Sequence, residues 1–223
     1  MSGWSLINAL RPCAPCMQAH DLKESDLILN IFINGQIYHS AEWSVAQRII
    51  DEVFGNLRGG GDSAMNSAGE GVTVEFTLSK GRANRIDALQ NFDSYLHAAV
   101  NHQTGYGALK WLLPPGSAVF IDAAIAEHVW ISDNPTPPDM DPHVISDPDL
   151  PRYHHVRSTL PMHAVRAAVE EFCRTGTGMR PSCIDWTPGD LSGRRLDVPD
   201  SRISAAYCDD PWCDNSEPGH PCH

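Results

Sequence analysis

The chain has 223 residues, of which 42% are hydrophobic and 20% are charged, a composition that can bury a core. Its 28 acidic residues outnumber its 16 lysines and arginines, so the formal net charge is −12 at pH 7. This charge repels phosphate backbones, which argues against a general nucleic-acid binder and favours a basic partner. No apolar run approaches the roughly 18 residues of a membrane helix.

The compartment is indicated by the N-terminal stretch and by the cysteines. The sequence MSGWSLINALRPCAPC lacks the positive n-region of a secretory signal peptide. Seven cysteines, an odd number, argue against a fully paired disulfide framework. We therefore expect a cytoplasmic protein.

The first predicted elements are a hairpin and a helix. Asn-Gly at 34–35 separates the apolar runs LILNIFI (27–33) and QIYHS (36–40), which is the strongest short hairpin signal. A helical stretch follows, and three glycines at 59–61 end it. Its apolar residues recur at spacings of three and four: Val45, Ile49, Ile50, Val53, Phe54 and Leu57.

Strands dominate the middle of the chain. Residues 72–78, VTVEFTL, alternate apolar and polar residues and predict a strand. Residues 95–100 and 106–113 predict two more strands, joined by a hairpin turn, and HVWIS at 128–132 predicts a short one. The next segment, 132–151, contains five Asp, six Pro and no Lys or Arg. Since prolines remove backbone donors and acids require solvent, we expect an exposed, extended loop there.

A second helix and a final strand complete the predicted domain. Pro161 opens the helix, whose apolar face consists of Val165, Ala168, Val169 and Phe172. SCIDW at 182–186 predicts the final strand. Short turns between consecutive strands require antiparallel pairing, so the fold class is α+β, a single antiparallel sheet with two helices on one face. The predicted divisions are an irregular N-terminal arm (1–25), the α+β domain (26–190) and an irregular, acidic, Cys-rich tail (191–223).

Enzymatic motifs are absent from the sequence. It contains no G-x-S-x-G elbow, no phosphate-binding P-loop and no H-E-x-x-H pair. His128, Asp133 and His143 would be candidate ligands of a metal-dependent hydrolase, but no ligand spacing defines such a site. We favour the interpretation that these are surface residues of a solvated loop.

The terminal cysteines allow a structural zinc site. Zinc takes four Cys or His ligands, but the chain has only one C-x-x-C pair, so free thiols or an unstructured tail are the alternative. We expect no cofactor and a domain that folds without metal. The weak candidate ligands are Cys13, Cys16, Cys208, Cys213, His220 and Cys222. Cys173 and Cys183 are interpreted as small core residues.

Three tryptophans fall on predicted strands or at their ends. Trp111 and Trp186 are interpreted as core residues. Trp130 borders the acidic segment, where it is either a core residue or an exposed interface anchor.

Three stretches of the sequence resemble a known family. They are GYGALKW (105–111), HVWISDN (128–134) and LPMHAVRAAVEEFCRTGTGMRPSCIDW (160–186). They resemble the immunity-protein family numbered one of bacterial polymorphic toxin systems. Its members share a strand ending G-x-L-x-W or G-x-L-x-Y, an aromatic strand, a loop of acids and prolines, and a helix followed by R-P-x-x-[VI]-x-W. The resemblance covers about residues 26–190, so no role is carried over to the cysteines outside that range.

The resemblance implies an inhibitor without enzymatic activity, made beside a toxin. Such proteins bind the toxin's C-terminal toxic domain, a nucleic-acid deaminase or nuclease, and block its active site. The acidic excess suits a basic cleft that binds nucleic acid. The predicted partner is this toxin domain, with no direct contact to nucleic acid or membrane. The predicted partner-binding residues are Trp130, Asp133, Asp139, Asp141, Asp147 and Asp149. A metal-dependent hydrolase and a zinc-stabilised adaptor remain as alternatives.

Overall fold

The computed structural model describes residues 27–40, 42–55, 71–82, 92–119, 121–147 and 152–199. Its elements in chain order are β1 (Ile28–Ile33), β2 (Gln36–Ser40), α1 (Trp43–Gly55), β3 (Val72–Ser79), β4 (Ser94–Asn101), β5 (Tyr106–Leu112), α2 (Ala123–Ala126), β6 (Val129–Asp133), β7 (Ile145–Asp147), β8 (Arg152–Tyr153), a 3₁₀ turn (Val156–Ser158), β9 (Leu160–Pro161), α3 (Met162–Thr175) and β10 (Asp185–Gly189). Within these ranges no helix is both long enough and apolar enough to cross a membrane.

One antiparallel sheet organises the domain. Its strands lie in the order β10-β6-β5-β4-β3-β1-β2, and β9 pairs with β5 beyond the end of the β5–β6 pairing. β7 and β8 form a separate two-stranded sheet. The predicted hairpin between β1 and β2 is confirmed, because Asn34 and Gly35 have φ values of 50° and 73°, as a type I′ turn requires. The α+β fold class is confirmed.

The helices α1 and α3 pack together over one face of the sheet, which we call the helix face. α1 buries Ala46, Ile49, Ile50, Val53 and Phe54, and α3 buries Met162, Val165, Ala168, Val169 and Phe172. The strands contribute fully buried side chains that include Ile31, Phe76, Leu96, Leu109 and Trp111. The predicted apolar face of the second helix and the core position of Trp111 are confirmed.

Two glycines fix the position of α3. Gly176 adopts a left-handed conformation, with φ of 57°, and ends the helix. Gly107 lies under the helix in β5, where a Cβ atom would be 2.5 Å from the carbonyl oxygen of Ala99 and 3.2 Å from Cγ2 of Val165. Because only glycine fits in this space, α3 can approach the sheet closely.

The final strand begins at Asp185, later than the predicted strand at 182–186. The carboxylate of Glu171 on α3 accepts hydrogen bonds from the backbone N–H of Ser182, at 2.7 Å, and of Cys183, at 3.1 Å. These bonds hold the segment in a bend, which delays the strand. Pro188 is tolerated because β10 lies at the edge of the sheet.

The predicted three-part division of the chain remains a prediction. The arm, residues 1–25, and residues 200–223 lie outside the described residues. Residues 190–199 follow β10 and pack on the domain, where Arg195 pairs with Gly189 in an isolated bridge and is 1% exposed.

Candidate partner-binding surface

The described part of the acidic segment, residues 132–147, folds over the second face of the sheet, which we call the loop face. The prediction of an exposed, extended loop is wrong for part of it, since Asn134, Pro142 and residues 144–146 are buried. Val144 and Ile145 form a small core with Ala99 of β4 and Ala108 of β5. The small side chains of the two alanines leave room for the segment. Burial of Val144 and Ile145 there lowers the free energy of the folded state, because their apolar surface is removed from water.

Lys110 of β5 ties two segments to the loop face. The residue is 8% exposed, and its ammonium donates hydrogen bonds to the carbonyl oxygens of Ser146, at 2.9 Å, and Leu191, at 3.2 Å. Burial lowers the pKa of Lys110, whereas the nearby carboxylates of Asp147 and Glu75 oppose this shift. A buried ammonium is stable only when its donors are satisfied, so Lys110 requires both segments in place.

Two buried histidines surround this lysine. His97 of β4 is 4% exposed and His154 is 1% exposed. Burial, reinforced by the positive charge of Lys110, lowers the pKa of His97 well below its usual value and that of His154 to about 3. Nδ1 of His97 and both ring nitrogens of His154 lack a hydrogen-bond partner in the described protein. Both rings are therefore neutral at physiological pH.

Arg195 anchors the segment that follows β10. Its guanidinium donates to Asp133 at 2.6 Å and to both carboxylate oxygens of Asp197 at 2.8 Å. It also donates to the carbonyl oxygen of Arg157 at 3.2 Å. These bonds join the end of β6, the 3₁₀ turn and residues 195–197 on the loop face.

Residues 189–195 form a tight turn with Leu191 at its tip, which we call the Leu191 turn. Asp190 N–H donates to the carbonyl oxygen of Arg194 at 3.0 Å, and Gly193 N–H donates to the carbonyl oxygen of Asp190 at 3.0 Å. The carboxylate of Asp190 also accepts from the backbone N–H and the hydroxyl of Ser192, at 2.9 and 2.7 Å. Leu191 itself is 70% exposed.

The five predicted aspartates differ in their surroundings. Asp133 is paired with Arg195, and Asp147 is half-buried opposite Arg152 in the β7–β8 pair. Asp139 and Asp141 are exposed, and neither forms an ion pair with a described residue. Asp141 accepts a hydrogen bond from the backbone N–H of His143 at 2.9 Å. Asp149 lies outside the described residues.

Trp130 lies on the helix-face side of β6, directly opposite Trp111 of β5. Its indole N–H donates to the carbonyl oxygen of Ile125 at 2.8 Å, and the guanidinium of Arg180 covers its ring at 4.0 Å from the centroid. Trp130 is half-buried, so part of its ring remains accessible. Trp130 and the aspartates therefore lie on different faces of the sheet, near the edge strand β10.

A cavity of about 960 Å³ opens beside the Leu191 turn. Tyr95, Lys110, Leu112 and Val129 of the loop face line it, together with Phe92, Leu191 and residues 113–117, 119, 121, 123 and 126–128 of the β5–β6 connection. Glu127 and His128 are the charged or titratable side chains of that connection at the cavity. The lining is mainly apolar, so the cavity suits an apolar side chain rather than a charged group.

The family model of the immunity protein Imm1 matches residues 50–188, which is more than half of the chain. The chain belongs to the Imm1 family of immunity proteins. The match lies within the predicted range of 26–190. No curated protein and no solved structure gave a significant match. Imm1 proteins are inhibitors without enzymatic activity, and an immunity protein has a cognate toxin as its partner.

The motifs that carry the Imm1 resemblance are built into the packing of the domain. In G-x-L-x-W, Gly107 admits α3, Leu109 is fully buried, and Trp111 donates its indole N–H to Gly178 O at 3.2 Å. In R-P-x-x-[VI]-x-W, Arg180 lies over the rings of Trp130 and Trp186. These residues stabilise the helix-face side of the Imm1 domain.

The structure does not assemble the residues of the alternative hydrolase site. The ring of His128 contacts that of Trp130, with centroids 6.0 Å apart, and the ring of His143 contacts that of Tyr153 at 5.2 Å. Asp133 is held by Arg195. No group of three His, Cys, Asp or Glu side chains in the described part of the chain could hold a metal ion.

The cysteine predictions separate into two groups. Cys13, Cys16, Cys208, Cys213, His220 and Cys222 lie outside the described residues, so the zinc hypothesis remains a prediction. Cys173 and Cys183 both pack against the helix-face core. Burial raises the pKa of the Cys173 thiol, which makes it a poor nucleophile.

Lys110, Arg195 and Leu191 of the loop face were not among the residues predicted from the sequence. A signal was present for Lys110: it interrupts the run Ala108 to Trp111 in a strand that is apolar at both alternating positions. Such a strand is covered on both faces, which requires a second layer on the loop face. Nothing in the local pattern marks Arg195, because its partners Asp133 and Arg157 are distant in sequence.

Proposed function

We propose that this Imm1 protein inhibits its cognate toxin by binding the toxin's C-terminal toxic domain and blocking its active site. The proposed toxic domain is a nucleic-acid deaminase or nuclease, and the proposed compartment is the cytoplasm. Family membership supports an inhibitor, and the net charge of −12 is complementary to a cleft that binds a phosphate backbone.

The observation that carries this proposal is the exposure of Asp139 and Asp141 in the acidic loop. The arginines nearby are already paired: Arg157 with Asp197 at 3.5 Å, and Arg194 with Asp190 at 2.9 Å. The two unpaired carboxylates therefore give this surface a local negative excess. Such an excess increases the association rate with a basic partner and makes the rate fall with salt.

The test measures association with the toxic domain encoded in the neighbouring gene, inactivated at its active site. Stopped-flow rates are recorded at low and high salt for the wild type and for Asp139→Asn/Asp141→Asn. Two exposed acids, Glu42 just before α1 and Glu52 within it, supply the matched control, Glu42→Gln/Glu52→Gln. We expect the loop variant to associate about threefold or more slowly at low salt, and the control to keep the wild-type rate. A wild-type rate independent of salt contradicts electrostatic steering.

A competition experiment tests the blocked active site. A short oligonucleotide that binds the inactivated toxic domain is titrated against the preformed complex. If the inhibitor covers the active site, the oligonucleotide and the Imm1 protein bind mutually exclusively. Formation of a ternary complex contradicts the proposed mode of inhibition while leaving the toxin as the partner.

Trp130, which lies near the edge strand β10 but on the other face of the sheet from the aspartates, is the proposed apolar anchor. Trp130→Ala is expected to reduce the binding free energy by about 2 kcal/mol or more if the indole is a hot spot. Because the indole also packs under Arg180, Trp130→Phe is the necessary second variant, since a phenyl ring can retain that contact. Undiminished affinity of both variants would leave Trp130 with a purely structural role.

A further inference from the structure

Exposed large apolar side chains are concentrated on the loop face. The described residues include five of them: Met140 at 56%, Tyr153 at 43%, Met179 at 40%, Leu191 at 70% and Leu196 at 53%. Met140 belongs to the acidic segment, Tyr153 lies directly after it in β8, and Leu191 and Leu196 follow β10. Single exposed apolar residues are normal on a protein surface, but their concentration in two adjoining segments indicates an interaction site.

These two segments form one continuous layer. Lys110 donates to a carbonyl oxygen of each of them. Gly193 of the Leu191 turn lies so close to Ser146 and His154 that a Cβ atom there would be 2.8 Å from the Ser146 side chain and 3.0 Å from the imidazole of His154. Further along, the charges of both Asp141 and Asp197 act on His155. The acidic segment and the Leu191 turn therefore adjoin on the loop face.

The Leu191 turn is rigidly supported although its tip is apolar and exposed. Backbone and side-chain hydrogen bonds close the turn around Asp190. A buried lysine holds the carbonyl of Leu191, and a buried arginine holds the far end of the turn. Burying two cations opposes folding, whereas an exposed leucine adds almost nothing to the core. A preorganised apolar tip does lower the entropy cost of binding a partner.

We propose that the Leu191 turn and the adjoining residues 139–143 of the acidic segment form the docking surface for the toxic domain. Leu191 supplies the main apolar contact, Met140 and Tyr153 extend it, and Asp139 and Asp141 border it. The complementary surface on the toxin is an apolar depression flanked by lysine or arginine side chains. The identity of the occupant rests on the proposed function; the location of the surface rests on the geometry of the loop face.

A matched pair of single substitutions tests the location. Leu191→Ser removes the exposed tip, and Met179→Ser removes an exposed apolar side chain from the helix-face side, beside Gly178, whose carbonyl accepts from Trp111. Affinity for the inactivated toxic domain and the thermal unfolding midpoint are measured for the full chain. We expect Leu191→Ser to weaken binding by about tenfold or more at an unchanged midpoint, and Met179→Ser to remain within about twofold of the wild type.

Hydrogen exchange of the wild-type complex provides a second measurement that needs no variant. Protection of amides in 139–143 and 190–196 supports the proposal, and protection confined to α1, β2 or the α3–β10 connection overturns it. If Leu191→Ser binds the toxic domain with the affinity of the wild type, this inference is overturned while the proposed function stands. Absence of wild-type binding overturns the proposed function, and this inference with it.

Discussion

The two faces of the sheet are covered in different ways. On the helix face, α1 and α3 bury an apolar cluster in which most side chains are less than 5% exposed. On the loop face, the buried apolar cluster of the described residues consists of Ala99, Ala108, Val144 and Ile145, and Ile131 of β6 is buried apart from it. Cations and histidines fill the remaining space there, and irregular segments cover them.

This difference assigns stability to the helix face and, under the proposed function, recognition of the toxin to the loop face. Apolar burial on the helix face stabilises the fold at about 25 cal/mol per Å². Buried polar groups on the loop face contribute little net stability, but they fix the position of the segments that they hold. The loop face is thus suited to present a defined surface, and the helix face to keep the domain folded while it does so.

The largest effect is expected from a cavity on the helix face. Phe172 of α3 is fully buried in the core, so Phe172→Ala should lower the free energy of unfolding by about 3–5 kcal/mol. Urea unfolding measures the loss. Ile145→Ala is the loop-face counterpart and should cost less, because its core contains few apolar partners. Equal losses would contradict the division of roles between the faces.

The next effect concerns the buried arginine of the loop face. Arg195→Ala removes the guanidinium that donates to the carboxylates of Asp133 and Asp197, and should lower the free energy of unfolding by about 2–4 kcal/mol. The neighbouring exposed pair, Arg194 with Asp190, provides the control: Arg194→Ala should cost at most about 0.5 kcal/mol. If chemical denaturation gives similar losses for both variants, Arg195 is not the anchor of this segment.

The buried histidines predict a loss of stability in mild acid. The pKa values of His97 and His154 are lowered in the folded state, whereas in the unfolded chain they lie near 6.5. Below about pH 6.5 the unfolded state therefore binds protons that the folded state does not. Stability is complete above that pH and falls as the pH decreases.

From pH 7.5 to 5.5 we expect a loss of about 2–3 kcal/mol for the two histidines together. Urea unfolding at both pH values measures it, and His154→Gln should reduce the pH dependence by about half. His39, His102 and His155, whose pKa values are lowered chiefly by desolvation, act in the same direction. A pH dependence unchanged in His154→Gln would show that these other groups cause it.

Local sequence patterns were sufficient for most of the helix face. Period-two alternation in β3, the Asn-Gly turn and the apolar stripe of α3 each arise from neighbouring residues, and the structure confirms them. The start of β10 was misplaced because it depends on Glu171, which holds Ser182 and Cys183 in a bend. This contact is made between two elements, so no short-range pattern encodes it.

The loop face was harder to predict because its contacts join residues distant in sequence. Composition alone indicated that the acidic segment is exposed, and this is correct for Asp139 and Asp141. It could not show that the small side chains of Ala99 and Ala108 leave space for Val144 and Ile145. Trp130 was predicted to border that segment, and Asp133 and Asp147 to be partner-binding residues within it. Their burial and pairing depend on Arg180, Arg195 and β8.

The smallest expected effect lies on the outer side of the helices. Arg174 of α3 places its guanidinium 4.5 Å from the ring centroid of Trp43 on α1 and pairs with Glu170 at 3.3 Å. Because Arg174 is 52% exposed, solvent weakens both contacts, and Arg174→Ala should lower the free energy of unfolding by only about 0.5–1 kcal/mol. Arg174→Lys keeps the charge but not the planar stacking, so its free energy of unfolding should lie between those of the wild type and Arg174→Ala. A loss as large as that of Arg195→Ala would mean that cation contacts stabilise the helix face as they do the loop face, which would remove the contrast between the two faces.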